Sequence, residues 1–323
     1  MVASLSCAFI LIAAVIAAAP AAAQTAFPSK VVRLVVPFAP GGSNDVVART
    51  MATPLSKALG QSVIVENRPG ANTIIGTEAV ARAPADGHTV LIAGFTFMSN
   101  AALRSKLPYD PHKDFIPVTG IGSQPFVFSV HPSLPARSIK ELVALAKARP
   151  GELVYSINGY GTGQHLSGEL LKLKSGINMK HVAFQGGGPA TVAVLGGHAS
   201  ILISTAPPIV QHLPSGKLRA LAVTTRTRST LMQDVPTMIE AGFPDFDMSG
   251  AMGVFAPGGT PKDTVDRLGA EILRVLQLPE LRAGLVRDGF IVTALGPADY
   301  AAYMRKRMQE IERIAREAKI KID

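Results

Sequence analysis

One cysteine, no tryptophan and a low share of charged residues set the first limits on this chain of 323 residues. The cysteine, Cys7, sits before an N-terminal apolar run rather than after it, the wrong place for a lipidated residue. Beyond it the chain has no disulfide, thiolate nucleophile or cysteine metal site to offer. The seven histidines contain no H-x-H and no i, i+4 pair, which excludes a helical zinc motif. Neither G-x-S-x-G nor G-x-x-x-x-G-K-[ST] occurs. Gly159-Tyr160-Gly161 begins like a dinucleotide fingerprint, but Gln164 stands where the third glycine belongs. No nucleophile–base arrangement can be identified, so neither an enzyme nor a bound cofactor or metal is expected. Aromatic residues are scarce and the basic ones scattered, except at Arg305-Lys306-Arg307. That cluster reads as a solvated helix face, and no nucleic-acid partner is expected.

Residues 1–24 lack Asp, Glu, Lys and Arg altogether. Their apolar core, Ala8 to Ala17, is shorter than the roughly 20 residues that cross a bilayer. Ala21 and Ala23 then fit an A-x-A cleavage signal, which predicts a secretory signal peptide over 1–23, a mature start at Gln24 and a periplasmic location. No later segment approaches a membrane span. What remains, about 300 residues, is enough for two domains with a buried core. All of the net charge of +9 lies beyond the signal peptide, and it attracts anions in general.

Strand-like runs alternate with helical patterns along most of the chain. Val31 to Val36, Ser62 to Val65 and Thr89 to Ile92 read as strands, with helices between them. From Pro125 the rhythm restarts with Phe126 to Val130 and a helix that Ser138 can cap. This βαβ order predicts an α/β fold whose sheets are largely parallel and flanked by helices. Two apolar crossings, near Gln124 to Val130 and Met248 to Phe255, delimit an inserted lobe over 125–247. The other lobe would be built from 24–124 and 248–323.

Chemistry is expected at three Gly-rich strand-to-helix turns: Pro40 to Asp45, Asn158 to His165, and Gln185 to Pro189. A helix start presents N–H groups without intrahelical partners and the positive end of the helix dipole, and small residues let an anion approach both. The first turn contributes Gly42, Ser43 and Asn44. The second contributes Tyr160, Gly161, Thr162 and Gly163. Asp45 either caps its own helix start or touches the ligand, and His165 takes a cap or a ligand-contact role. Phe38-Ala39-Pro40-Gly41-Gly42-Ser43 has an echo in Phe255-Ala256-Pro257-Gly258-Gly259-Thr260. The echo is followed by Pro261, which lacks an N–H, so it reads as structural, with Thr260 as a helix cap.

Several stretches together resemble the Bug/TctC family, the substrate-binding components of tripartite tricarboxylate transporters. They include Val35 to Asp45, Val65 to Ala71, Ala85 to Thr89, Gly161 to Leu166, Gly216 to Val223 and Val235 to Thr237. Asn44 stands where the family loop often has Thr, an amide in place of a hydroxyl. The resemblance implies a two-lobed periplasmic-binding-protein-like (type II) fold that closes as a Venus flytrap. It also implies a ligand carboxylate held mainly by backbone amides and waters. Phe38, Ala39, Ser43, Asn44 and Asp45 would serve from one lobe, and Gly161, Thr162, Gly163 and His165 from the other, with Thr205 and Ala206 lining the cleft. The expected partners are a small organic anion (a mono- or dicarboxylate, aromatic acids included) and membrane transporter subunits, with the protein itself monomeric. A competing reading keeps the fold but has the closed form signal to a membrane sensor kinase.

Overall fold

The computed structural model describes residues 27–320; the expected signal peptide and its cleavage site lie outside the described residues. Strand β1 (Val32–Val36) buries all but Arg33. It runs through the first Gly-rich turn into α1 (Ser43–Leu59), whose Val47, Ala48, Met51, Leu55 and Leu59 recur at helical spacing and face the core. Strands β2 (Val63–Asn67) and β3 (Thr89–Gly94) pair with β1 on either side, both parallel, with α2 (Ile74–Ala81) between them in sequence. Helix α3 (Phe95–Leu103) follows β3 directly.

Strand β4 (Phe115–Val130) is the structural axis of the molecule. Its first part pairs antiparallel with β9 (Ser249–Pro257) and β10 (Ile291–Leu295). From Phe126 onward it pairs with β7 (Ile201–Thr205) and β8 (Arg219–Val223). The chain thus passes between lobes along one long strand, and the sheet runs in the order β2-β1-β3-β9-β4-β7-β5-β6. In the second lobe β5 (Val154–Ile157) is flanked in parallel by β6 (Lys180–Ala183) and β7. Each lobe therefore keeps a parallel three-strand group at its outer edge. The pairings turn antiparallel around β4 and β9, because a strand that carries the chain across and one that returns it must run in opposite directions.

The second lobe's helices are α4 (Ile139–Ala148), α5 (Gly163–Ser175) and α6 (Gly187–Leu195). Ser138 caps α4 as expected, its hydroxyl accepting the Glu141 N–H at 3.2 Å. The chain closes with α7 (Lys262–Leu276), α8 (Pro279–Arg287) and α9 (Pro297–Glu317). Helix α9 lays Tyr300, Ile311 and Ile314 onto an apolar core that is continuous from Phe97 and Phe255 in one lobe to Phe126, Phe128 and Tyr155 in the other. This shared core ties the two lobes at the crossing strands.

Two expectations need correction. The basic cluster on α9 is not wholly solvated. Arg305 and Lys306 are exposed, but Arg307 is buried, donating to Ser249 Oγ at 3.1 Å and pairing with Glu310 at 3.0 Å. Helical spacing turns it toward β9 while its neighbours face water. Thr260 is not a helix cap either: Pro261 holds that position, and the Thr260 hydroxyl donates to the Pro257 carbonyl at 2.7 Å. Thr260→Ala is expected to cost about 1 kcal/mol of stability, one net hydrogen bond, and to leave ligand affinity unchanged. Thermal melts and titration calorimetry check this, and a folded variant that loses binding would contradict it.

Candidate functional site

Between the lobes lies a cavity of about 60 Å³ onto which four helix starts converge. From the first lobe come Gly42, Ser43 and Asn44 at the start of α1, and Gly94, Phe95 and Thr96 at the start of α3. From the second come Gln164 on the first turn of α5 and Gly187 at the start of α6. Each start carries N–H groups with no intrahelical acceptor and about half a positive charge from its dipole. Phe38, Gln124, Phe126, Asn158 and Thr205 complete much of the wall. No charged side chain lines the cavity among the described residues. The lobes touch across it, with Ser43 Oγ hydrogen-bonded to Thr205 Oγ1.

Of the sequence-predicted residues, Phe38, Gly42, Ser43, Asn44 and Thr205 line this cavity together. Ala39 lies beside it, about where a Cβ at Gly186 would come within 3.7 Å of its own Cβ. Ala206 is buried at another lobe–lobe contact, facing Gly289. Tyr160 is half exposed and lines a neighbouring groove of about 180 Å³ with Phe38, Asn72 and Phe184. Gly161, Thr162, Gly163 and His165 stand one layer behind the wall. Thr162 caps α5 by accepting the His165 N–H at 3.3 Å. Gly163 packs on Phe126 so closely that a Cβ there would overlap the ring.

The start of α3 is a site element that sequence reasoning missed. Its signal was present in Ala93-Gly94-Phe95-Thr96, a strand running straight into glycine, but with no loop between the two elements the turn was not recognisable. Gly94 is required there, because a Cβ would collide with the Ala251 carbonyl of the adjacent β9. Gln124 and Phe126 were read only as part of the apolar crossing between lobes. They reach the cavity because β4 crosses beneath it.

Asp45 takes the capping role. Its Oδ2 accepts the Gly41 N–H at 3.0 Å, and Oδ1 accepts from Arg49 Nε and Asn67 Nδ2, each at 3.0 Å. Burial pushes its pKa up, but the bonds from Arg49, Gly41 and Asn67 outweigh that and hold it below the ordinary carboxylate value. The carboxylate so fixed braces the turn that presents Ser43.

His165 braces the second turn. Its Nδ1 accepts the Gly161 N–H at 3.1 Å, while Ser99 Oγ, reaching over from α3, donates to the Gly161 carbonyl at 2.5 Å. Behind His165 lies Glu169, held by Tyr155 Oη at 2.7 Å and Lys172 Nζ at 2.9 Å, with His181 Nδ1 at 3.4 Å. His165, Glu169 and His181 are spaced closely enough to hold a metal ion. The donor set does not suit one. A neutral His165 that accepts at Nδ1 carries its proton on Nε2, the nitrogen facing Glu169, and Lys172 already neutralises that carboxylate. Burial, followed by the repulsion of His181, lowers the His165 pKa to about 4. Burial raises that of Glu169, but His181, Tyr155 and Lys172 outweigh it and bring the value down to about 2.

This arrangement has a pH signature. The folded His165 pKa lies below the ordinary histidine value of 6.5, so the unfolded chain takes up that proton first. Stability from neutral His165 is present above pH 6.5 and is lost as pH falls toward about 4, an effect on the order of 3 kcal/mol. The Glu169 contribution fades only below the ordinary glutamate value of 4.5. His165→Gln, which can still accept the Gly161 N–H but does not titrate, is expected to flatten the melting-temperature profile between pH 6.5 and 4. A profile as steep as that of the parent would remove His165 from the account.

The family model described as "Tripartite tricarboxylate transporter family receptor" matches residues 47–320. The chain belongs to that receptor family. The protein BugT of Bordetella pertussis is 36% identical over 307 residues, 94% of each chain. Among solved structures, an R. palustris protein with adipate has a TM-score of 0.89 at 33% identity, covering 91% of this chain and 99% of that one. MatC of Rhodopseudomonas palustris with bound malate has a TM-score of 0.84 at 32% identity, covering 89% and 99%. The receptor shares their periplasmic-binding fold, and as a member of a family of solute-binding receptors it is not an enzyme. Among its described residues no helix is long and apolar enough to cross a membrane.

Proposed function

We propose that this receptor is exported to the periplasm after cleavage near Gln24. There it captures a small organic carboxylate between its lobes (24–124 with 248–323, and 125–247) and, as a monomer, delivers it to a tripartite tricarboxylate-type membrane transporter. The observation that carries the reading is the convergence of four helix starts, two from each lobe, on one uncharged cavity. Free N–H groups and dipole ends favour an anion, and no arginine is needed where several such donors meet. Hydrogen bonds to a charged group contribute about 1.5–3 kcal/mol each, so four or five can offset closure costs and still reach about 1 µM. The ligand's carboxylate would meet Ser43, Asn44 and Gly187 directly. Gly161, Thr162, Gly163 and His165 would act by fixing the α5 start, with Tyr160 and Ala206 at the lobe–lobe margin. Relatives of this fold with adipate and with malate support the ligand class.

A thermal-shift panel of mono-, di- and aromatic carboxylates, paired with native mass spectrometry of protein purified from cells, tests the reading. At least one carboxylate is expected to raise the melting temperature and to appear as a one-to-one complex. A panel in which no acid shifts the melt, on protein shown to be folded, would reject it.

A further inference from the structure

The helix starts account for one end of a ligand; the amide side chains in the same cavity have no such explanation. Gln124 is 2% exposed, yet its Oε1 takes no hydrogen bond from the protein. Asn158 Oδ1 is in the same condition. Both residues line the cavity, one from the crossing strand β4 and the other from the turn before α5. Buried side-chain acceptors are normally satisfied, and two unsatisfied amides on residues that wall one small space call for a partner beside it.

We infer that Gln124, assisted by Asn158, reads a hydroxyl on the ligand close to its carboxylate, making the receptor selective for hydroxycarboxylates over their deoxy counterparts. The inference deepens the proposed carboxylate-binding reading and rests on it. A hydroxyl both donates and accepts, so it satisfies an amide whichever way that amide is turned, whereas a further carboxylate can only accept. No cation lines the cavity to single out a second charge at the amide end. An ammonium group is equally unsuited, since no acidic side chain lines the wall to pair with it. A cavity of about 60 Å³ keeps the hydroxyl within a few bonds of the carboxylate. Selection by a buried polar partner is also strongly one-sided, because an analogue without the hydroxyl leaves both amides unpaired.

Titration calorimetry on matched acids tests this: propionate against lactate and 3-hydroxypropionate, and succinate against malate. In the parent protein the hydroxylated member of a pair that binds is expected to be at least tenfold tighter. Gln124→Leu is expected to collapse that ratio toward one by weakening the hydroxy acid. Equal affinities within a pair, tighter binding of the deoxy acid, or a ratio that survives in a folded Gln124→Leu protein would each overturn the inference. The comparison within the parent protein needs no variant to fold. If carboxylates bind without discrimination, only this inference fails; if no carboxylate of the wider thermal-shift panel binds, the carboxylate reading fails beneath it.

Discussion

Ser43→Pro is expected to fold normally and to lose ligand affinity by about 100-fold or more. Proline suits this position because Ser43 is the first residue of α1, where the N–H has no intrahelical acceptor. The preceding residue tolerates it as well: Gly42 is extended, with φ −87 and ψ 171, the conformation that proline demands of its predecessor. What disappears is the helix-start N–H of a residue on the cavity wall and the hydroxyl that bonds Thr205 across the lobes. The N–H's bond to a charged group contributes about 1.5–3 kcal/mol and the neutral hydroxyl–hydroxyl bond about 1 kcal/mol more, which sets the size of the loss. Calorimetry gives the affinity and a melting curve guards against misfolding. A stable Ser43→Pro protein with parental affinity would remove the α1 start from the site.

Gly163→Val is expected to abolish binding by a different route. The new Cβ would overlap the Phe126 ring, which forms part of the cavity wall and sits where β4 passes from one lobe to the other. Overpacking of this kind costs about 1–3 kcal/mol of stability and forces either the ring or the α5 start out of place. Both displacements spoil the cavity, so binding is lost even in molecules that stay folded. Gly163→Ala places the same Cβ on the ring but lacks the two further methyl groups of Val, so it is expected to weaken binding by less and to remain measurable. A Gly163→Val protein with normal affinity would show that the packing of α5 on Phe126 is irrelevant to recognition.

Much of the architecture was legible because its causes are local. The buried faces of β1 and α1, the Ser138 cap and the Gly-rich starts of α1, α5 and α6 follow from periodicity and turn chemistry in short windows. At the second FAPGG turn the helix start was legible, but the inward bond of the Thr260 hydroxyl to Pro257 was not. What escaped depends on contacts between distant segments. β10 is a short strand with exposed Ile291 and buried Val292, defined by its pairing to β4 rather than by a strong pattern of its own. The full length of β4 was hidden by Pro117, Gly120, Gly122 and Pro125, which read as breaks until β9 and β10 are placed alongside. His165 shows the same limit at the site. Its position at a helix start is plain from sequence, but its orientation away from the cavity is set by Glu169, His181 and Tyr160, which only the fold brings together. Arg307 escaped for a related reason, since Ser249, its partner on β9, is remote in sequence.

The central claim is that an anion completes donor sets from both lobes at once and so favours the closed form. An open molecule can offer a ligand only one lobe's helix starts, and the difference in contacts is what shifts the population. Small-angle X-ray scattering, with and without a saturating carboxylate taken from the thermal-shift panel, measures this directly. The account predicts a smaller radius of gyration with ligand, and no such change for Gly163→Val. A radius that stays the same at saturation, with binding verified by calorimetry on the same sample, would contradict it.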